Sequence, residues 1–339
     1  MTDYRHALIG CGRVAANHVD GFGRVPGWVL ATACDREPHV KEFAREHGIA
    51  TAAQDVEEVF ADPGITSVSI AVDHVQHGPL VERALVAGKH VLVEKPLCLD
   101  PAQARQLVAL AAERGLVLST VAQHRYDPVV RAVRQWVGRG LLGRLVFASA
   151  TLQARREPDY YTGSYWRGTR RGEGGSALIN QGYHCLDAVR WICGDLTTTA
   201  AVRTAGVLGG VIETEDTLSG LLSASGVPVT LNVTVASSVE WRTRIEIVGE
   251  LGSVVFDLDH PGRLRRWDGS AELVRLAERE SSRGLAEEPP GTSYYGTSHR
   301  RQIADFCRSV AGGGPMLSSP ADSVGTLETI LSLYALSSR

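Results

Sequence analysis

Ala7-Leu8-Ile9-Gly10-Cys11-Gly12-Arg13-Val14-Ala15 is the stretch on which the fold turns. A short apolar run ends at two glycines one residue apart, and a helix-forming segment follows. Gly10 suits a tight turn out of a strand, Gly12 lets backbone N–H groups approach an anion closely, and Ala15 is small enough for the helix to pack on the strand. The helix start adds orphan N–H groups and a dipole that favours phosphate. A purely structural glycine turn would share the pattern, but its place directly after the first apolar run favours a phosphate site.

Outward from this turn, apolar runs and helical stretches alternate. Val29–Cys34 ends at Asp35, Ser67–Ala71 ends near Asp73, Val91–Val93 ends at Glu94-Lys95-Pro96, and Leu116–Thr120 follows. Val40–His47, Leu80–Ala87 and Pro101–Arg114 have helical spacing, and Asp55–Phe60 supplies a further helical turn. Such alternation predicts a parallel sheet covered on both faces. The pattern changes beyond His124-Arg125-Tyr126-Asp127-Pro128. A helix over Val129–Val137 leads to a β-prone run, Leu145–Leu152, then to a Tyr- and Arg-rich loop. One long helix runs from near Ser176 to about Cys193-Gly194. Further strands are expected at Asp216–Leu222, Val229–Val235, Thr243–Val248 and Val254–Phe256, and Glu272–Pro290 reads as surface loop. Arg301–Val310 and Ser323–Leu336 read as helices separated by Gly312-Gly313-Gly314-Pro315. The expected fold class is α/β: an N-terminal Rossmann domain (1–122), followed by an α+β domain (123–339) with a large, mostly antiparallel open sheet. The C-terminal helices are expected to pack back on the first domain.

Composition narrows the partners. The 339 residues are 44% hydrophobic and 22% charged, with a formal charge of −3. That balance gives no sign of a nucleic-acid binder. No apolar stretch reaches the length of a membrane span. The start of the chain has no basic region followed by a secretory core, so a cytoplasmic location is expected. The six cysteines form no C-x-x-C pair and read as free thiols, so no metal site is expected.

Asp35, at the end of the second strand, can accept hydrogen bonds from both ribose hydroxyls of a dinucleotide and would repel a 2′-phosphate. NAD is therefore the preferred cofactor. Arg36 beside it keeps NADP as the second candidate. The turn residues Gly10, Cys11, Gly12, Arg13, Val14 and Ala15 complete this set.

Lys95 lies just past an apolar strand, where an ammonium can stabilise a developing alkoxide. A surface lysine at a strand end is the structural alternative. Asn180 and His184 are four apart in a helical segment and should share a face, with Asp187 three residues further on. His184 suits proton transfer near neutral pH, and Asn180 offers both donor and acceptor atoms. A stripe of helix-cap and domain-contact residues is the alternative there. Arg125, Trp166 and Arg167 are secondary candidates for cofactor or substrate contact. Arg155, Arg156, Arg170 and Arg171 enrich the same region, partly balanced by Glu157, Asp159 and Glu173, as either a phosphate subsite or a solvated loop.

Gly10–Ala15, Ala87–Pro96 with its Glu94-Lys95-Pro96 motif, Trp166-Arg167, Gly174–Asp187 and His299–Phe306 together resemble the glucose–fructose oxidoreductase and inositol dehydrogenase (Gfo/Idh/MocA) family over nearly the whole chain. The resemblance implies that Lys95 stabilises the reacting oxygen and that His184 is the catalytic histidine. It also implies Ala71, His77 and Glu94 near the cofactor, and homodimers or homotetramers built on the open sheet. Asn180 stands where many inositol dehydrogenase-like members carry Asp, and Asn cannot serve as a carboxylate base. The expected activity is hydride transfer between NAD(P) and a secondary alcohol or ketone of a sugar, nucleotide sugar or cyclitol. An NAD-dependent lyase or glycosidase using transient oxidation is one alternative. A non-enzymatic dinucleotide-responsive binding protein is the other.

Overall fold

The computed structural model describes residues 4–259, 262–283 and 296–338, which divide into two compact units. The first comprises residues 1–123 and 290–324, the second residues 124–289 and 325–339.

In the first unit, strands β1 (Tyr4–Ile9), β2 (Trp28–Cys34), β3 (Thr51–Ala53), β4 (Ser67–Ile70), β5 (His90–Val93) and β6 (Leu118–Thr120) form one sheet. Their order is β3-β2-β1-β4-β5-β6, and every pairing is parallel. This is the Rossmann order, which reverses direction between β1 and β4 and so opens a crevice at their carboxyl ends. Helices α1 (Ala15–Phe22), α2 (Val40–Glu46), α3 (Val56–Ala61), α4 (His74–Val86) and α5 (Pro101–Glu113) connect the strands. The starts of three of them are written into the sequence. Asp55 and Glu58 close a capping box on α3, Asp73 caps α4, and Asp100 with Pro101 opens α5. The three-residue β3 has no counterpart in the sequence reading, because it is too short to show a period.

In the second unit, α6 (Pro128–Gly138) precedes β7 (Leu145–Arg155), and α7 (Pro158–Thr162) follows. A π-helical turn, Ala177–Gly182, then leads into α8 (Tyr183–Cys193). The expected single long helix is thus two segments of different winding. Strands β8 (Leu196–Thr204), β9 (Thr217–Ala224), β10 (Val227–Thr234), β11 (Ala236–Gly249), β12 (Gly252–Phe256) and β13 (Leu264–Gly269) follow. Helix α9 (Ala271–Arg283) follows them; α10 (Gly296–Val310) belongs to the first unit, and α11 (Pro320–Leu336) and the short β14 (Ser337–Ser338) end the described chain.

The second sheet runs β13-β12-β11-β7-β10-β9-β8-β14. It is mixed but mostly antiparallel, with parallel pairing only between β10 and β7 and between β14 and β8. Alternation sets its two faces. On β10, Val229, Leu231 and Val233 are buried while Pro228, Thr230 and Asn232 are exposed. The π-helical turn approaches the buried face so closely that a Cβ on Gly182 would sit 2.7 Å from Val233 Cγ1.

Glu272–Arg283, expected as loop, is helical. Leu273 and Ala277, one turn apart, are fully buried on α9, and the surrounding charges occupy its other faces. Residues 284–290 of that expected loop lie outside the described residues.

Candidate active site

In the first unit, β1 and β2 are neighbours, so the glycine turn after one meets Asp35 after the other. Gly10 donates its N–H to the Cys34 carbonyl at 2.8 Å, and Cys11 donates its own to Asp35 Oδ2 at 2.8 Å. Asp35 Oδ1 accepts from the Glu37 N–H at 3.0 Å. A carboxylate offers about four acceptor positions, so Asp35 retains capacity for a ligand hydroxyl. Gly10 has φ +94°, and a Cβ there would lie 2.3 Å from the Ala71 carbonyl oxygen, which only glycine avoids. At Gly12 a Cβ would meet nothing within 4 Å. The turn is therefore closed against β4 on one side and open over Gly12, at the start of a helix. This arrangement fits a dinucleotide pyrophosphate. Arg13 is exposed, and Val14 packs against Leu8, Ala15 and Ala71. Burial first, then the charges of Asp35 and Cys34, push the Cys11 thiol up to about 12, so Cys11 contributes its backbone rather than its sulfur.

Lys95 follows β5 and is half-buried between buried Glu94 and Pro96, with a cis Lys95–Pro96 peptide. The side chain of Glu94, a residue expected near the cofactor, is bonded within the interior. Its Oε1 lies 3.1 Å from His18 Nε2 and 3.4 Å from His299 Nε2. His18 Nδ1 is 2.9 Å from Ser69 Oγ, which is 2.9 Å from His6 Nε2, and His6 Nδ1 is 2.7 Å from Ser67 Oγ. Both ring nitrogens of His6 and of His18 thus face a serine hydroxyl or the Glu94 carboxylate, and Glu94 is the acceptor at the end of the chain. Burial pushes the Glu94 carboxyl up, yet the hydrogen bonds from His18 and His299 outweigh it and hold the group well below the usual range. Burial, with His18 nearby, holds His6 well below its ordinary value.

His77, also read as a cofactor contact, is enclosed as well. Its Nδ1 is 2.6 Å from the Pro96 carbonyl and its Nε2 3.1 Å from the Val72 carbonyl. It ties the turn after Lys95 to the end of β4. Arg36 is exposed, with Nε 3.8 Å from Glu37 Oε1.

In the second unit, Asn180 lies in the π-helical turn and His184 in the first turn of α8. Their four-residue spacing therefore spans a change of winding rather than one α-helical face. π-Turns of this kind recur at functional sites. His184 is half-buried, and its ring packs edge-on against His124 with centroids 5.1 Å apart. His124 Nδ1 is in turn 2.6 Å from Asp127 Oδ2.

Asp187, expected near the face of Asn180 and His184, and Arg125, a candidate for ligand contact, are each other's partners in a buried ion pair. Both side chains lie in the low-dielectric interior, Arg125 1% and Asp187 3% exposed.

Around Asn180 the side chains are densely tied. The Arg167 guanidinium lies between two rings, 4.6 Å from the Tyr160 centroid and 5.0 Å from that of Trp166. Arg156 donates to Gln181 Oε1 at 2.7 Å, and Gln181 Nε2 reaches the Tyr160 hydroxyl at 3.2 Å. Glu173 is fully buried rather than a solvated counter-charge, and it receives the Asn180 amide at 2.5 Å. Glu215 is buried nearby and accepts from Ser176 N–H, Leu178 N–H and the Tyr334 hydroxyl. Burial pushes both carboxyls up against the pull of those hydrogen bonds. The sequence reading missed Glu173 and Glu215 as structural acids. The one available signal was an acid set among the glycines that open the helix.

A Rossmann sheet with an anchored acidic residue at its glycine turn, joined to a unit with a mixed eight-stranded sheet, defines a class of nicotinamide oxidoreductases. Residues 4–122 match the family described as "Oxidoreductase family, NAD-binding Rossmann fold", and residues 130–255 match the GFO/IDH/MocA C-terminal domain. The chain belongs to the Gfo/Idh/MocA oxidoreductase family. It is 28% identical to 1,5-anhydro-D-fructose reductase of Ensifer adhaerens over 97% of this chain and 95% of that protein. The WlbA dehydrogenase of Bordetella pertussis, solved with NADH and UDP-GlcNAcA, has a similar fold. It superimposes with a TM-score of 0.85 at 21% identity, over 98% of this chain and 95% of that one. Levoglucosan dehydrogenase, solved with NADH and levoglucosan, gives 0.84 at 21% identity, over 98% and 96%. Among the described residues, no helix is long and apolar enough to cross a membrane.

Proposed function

We propose that this oxidoreductase transfers hydride between NAD and a secondary alcohol or ketone of a sugar, nucleotide sugar or cyclitol. The observation that carries the cofactor half is the Cys11 N–H to Asp35 bond, which holds a carboxylate beside the open glycine turn. That carboxylate favours a ribose diol over a 2′-phosphate. The substrate class rests on the relatives that act on or bind carbohydrate-like compounds, and on a polar wall of Tyr160, Arg167 and Asn180.

A bound nicotinamide supplies the hydride acceptor or donor. In oxidation, Lys95 donates a hydrogen bond to the substrate oxygen and stabilises its developing negative charge. His184 takes the hydroxyl proton, and Asn180 orients the substrate. In reduction His184 returns the proton. His124, braced by Asp127 and packed on His184, fixes the imidazole plane. The outward face of the second sheet carries exposed Phe147, Leu221 and Val202, and we assign it to association with a second copy of this chain. Sedimentation of the wild type and of Phe147→Lys tests that assignment: a wild-type monomer rejects it.

The deciding experiment incubates purified protein with NAD or NADP and a panel of inositols, free sugars, sugar phosphates and nucleotide sugars. Reduced nicotinamide should accumulate in step with a ketone product, faster with NAD. Conversion without net reduction would replace this reading with transient oxidation.

A further inference from the structure

We infer that Glu173 is a positioning residue that fixes which end of the Asn180 amide meets the substrate, and thereby makes Asn180 an obligate hydrogen-bond acceptor. This rests on the substrate-binding role proposed for Asn180.

The assignment follows from counting donors. The Glu173 Oε2 accepts the Gly168 backbone N–H at 2.6 Å and the Ser176 hydroxyl at 2.5 Å. Its Oε1 faces Asn180 Nδ2 at 2.5 Å. The same nitrogen lies 3.5 Å from the Tyr160 hydroxyl. A carboxylate accepts only, so the atom Asn180 turns toward it is the NH₂ group, and both amide hydrogens are directed at protein oxygens. Toward a ligand, Asn180 acts through Oδ1. It receives a hydrogen bond from a substrate hydroxyl, as an aspartate would, without carrying a charge. Glu173 is fully buried, so the geometry is held by packing as well as by the donors of Gly168, Ser176 and Asn180. A substrate with a hydroxyl next to the reacting carbon is the class such an acceptor selects, and a deoxy analogue at that position is the class it rejects.

Glu173→Gln reverses the amide. Gly168 N–H cannot rotate away and needs an acceptor, so the glutamine oxygen stays on the Gly168 side and its NH₂ faces residue 180. Asn180 then turns its oxygen to that NH₂ and presents a donor to the substrate. We expect kcat/KM for the best hydroxylated substrate to fall about tenfold or more, with the KM for NAD unchanged. Asn180→Asp alone sets two carboxylates against each other in a buried place, and should lower both Tm and turnover. The reciprocal pair Glu173→Gln with Asn180→Asp restores an acceptor at position 180. It should recover kcat/KM above either single variant and Tm above Asn180→Asp. Wild-type kcat/KM in Glu173→Gln, or no recovery of Tm and kcat/KM in the pair, overturns the assignment. The Tm coupling needs no substrate. If it appears while wild type turns over no hydroxylated compound, the proposed reaction fails, and with it the substrate role of Asn180.

Discussion

Arg125 and Asp187 meet in a bidentate ion pair inside the second unit, with Nε to Oδ2 at 2.7 Å and Nη2 to Oδ1 at 2.6 Å. Arg125 is 1% exposed and Asp187 3%, and Thr326 donates a third hydrogen bond to Asp187 Oδ1 at 2.8 Å. Planar matching of guanidinium and carboxylate makes such pairs strong and specific. It fastens the short segment before α6 to α8, the helix that carries His184.

Removing one member strands a buried charge. Asp187→Ala should therefore destabilise the protein by about 3–5 kcal/mol, read from the midpoint of denaturant unfolding. Arg125→Met combined with Asp187→Leu should lose much less, because no unpaired charge is left behind. A loss under about 1 kcal/mol for Asp187→Ala would show that solvent reaches the pair after all.

Cofactor preference tests Asp35. Asp35→Ala should weaken NAD binding by about 1.5–3 kcal/mol, the worth of a hydrogen bond to a charged group. The ratio of NAD to NADP affinity should fall with it. Titrating both cofactors against both proteins gives the answer, and equal losses with an unchanged ratio would assign Asp35 to supporting the Cys11 turn alone.

Lys95→Met keeps most of the stem and removes the ammonium, whereas His184→Asn removes the base and keeps a polar side chain. Each should reduce turnover by about 10²-fold or more while NAD binding and the unfolding midpoint hold. Near wild-type turnover at saturating substrate in either variant removes that residue from the proposed chemistry.

Acid should weaken the first unit in two stages. His6, His77 and His90 are held below their ordinary value, chiefly by burial. Their folded forms stay neutral where the unfolded chain takes up protons, so stability is full above about pH 6.5 and is lost as pH falls below it. Glu94, also depressed, contributes stability present above its unfolded value of about 4.3 and lost on further acidification. Each group adds a slope of up to about 1.4 kcal/mol per pH unit within its window. Unfolding measured between pH 7 and pH 5 should be less steeply pH-dependent in His6→Gln than in wild type, and parallel curves would exclude His6 as a source.

The first sheet was legible because each of its longer strands is a continuous apolar run between helical stretches, as burial on both faces demands. The glycine turn and Asp35 share that legibility, being features of chain order. Other parts were hidden for physical reasons. On α9 the charges around Leu273 and Ala277, namely Glu272, Arg275, Glu278 and Arg279, mask a narrow apolar stripe. The winding change between Asn180 and His184 leaves no mark on side-chain periodicity. Glu94 and its partners His18 and His299 are brought together by tertiary packing, so chain order gives no hint of their pairing. Glu173 reads as one more charge in an arginine-rich stretch until the fold buries it.

The first unit draws on two distant stretches of chain, and this has a consequence during synthesis. Ile303, Phe306 and Cys307 of α10 pack into one apolar cluster with Phe22, Trp28, Leu92 and Val121, and Gln302 accepts the Ala122 N–H at 2.9 Å while donating to the Thr120 carbonyl. While a ribosome is still translating the second unit, these side chains have not yet been made. The nascent Rossmann sheet must wait with the aromatic surface of Phe22 and Trp28 uncovered. That interval is an opening for chaperones or for aggregation, and it makes residues 1–122 alone a poor choice for expression. Supplying the α10 segment in trans, as a peptide, should rescue the solubility of that fragment.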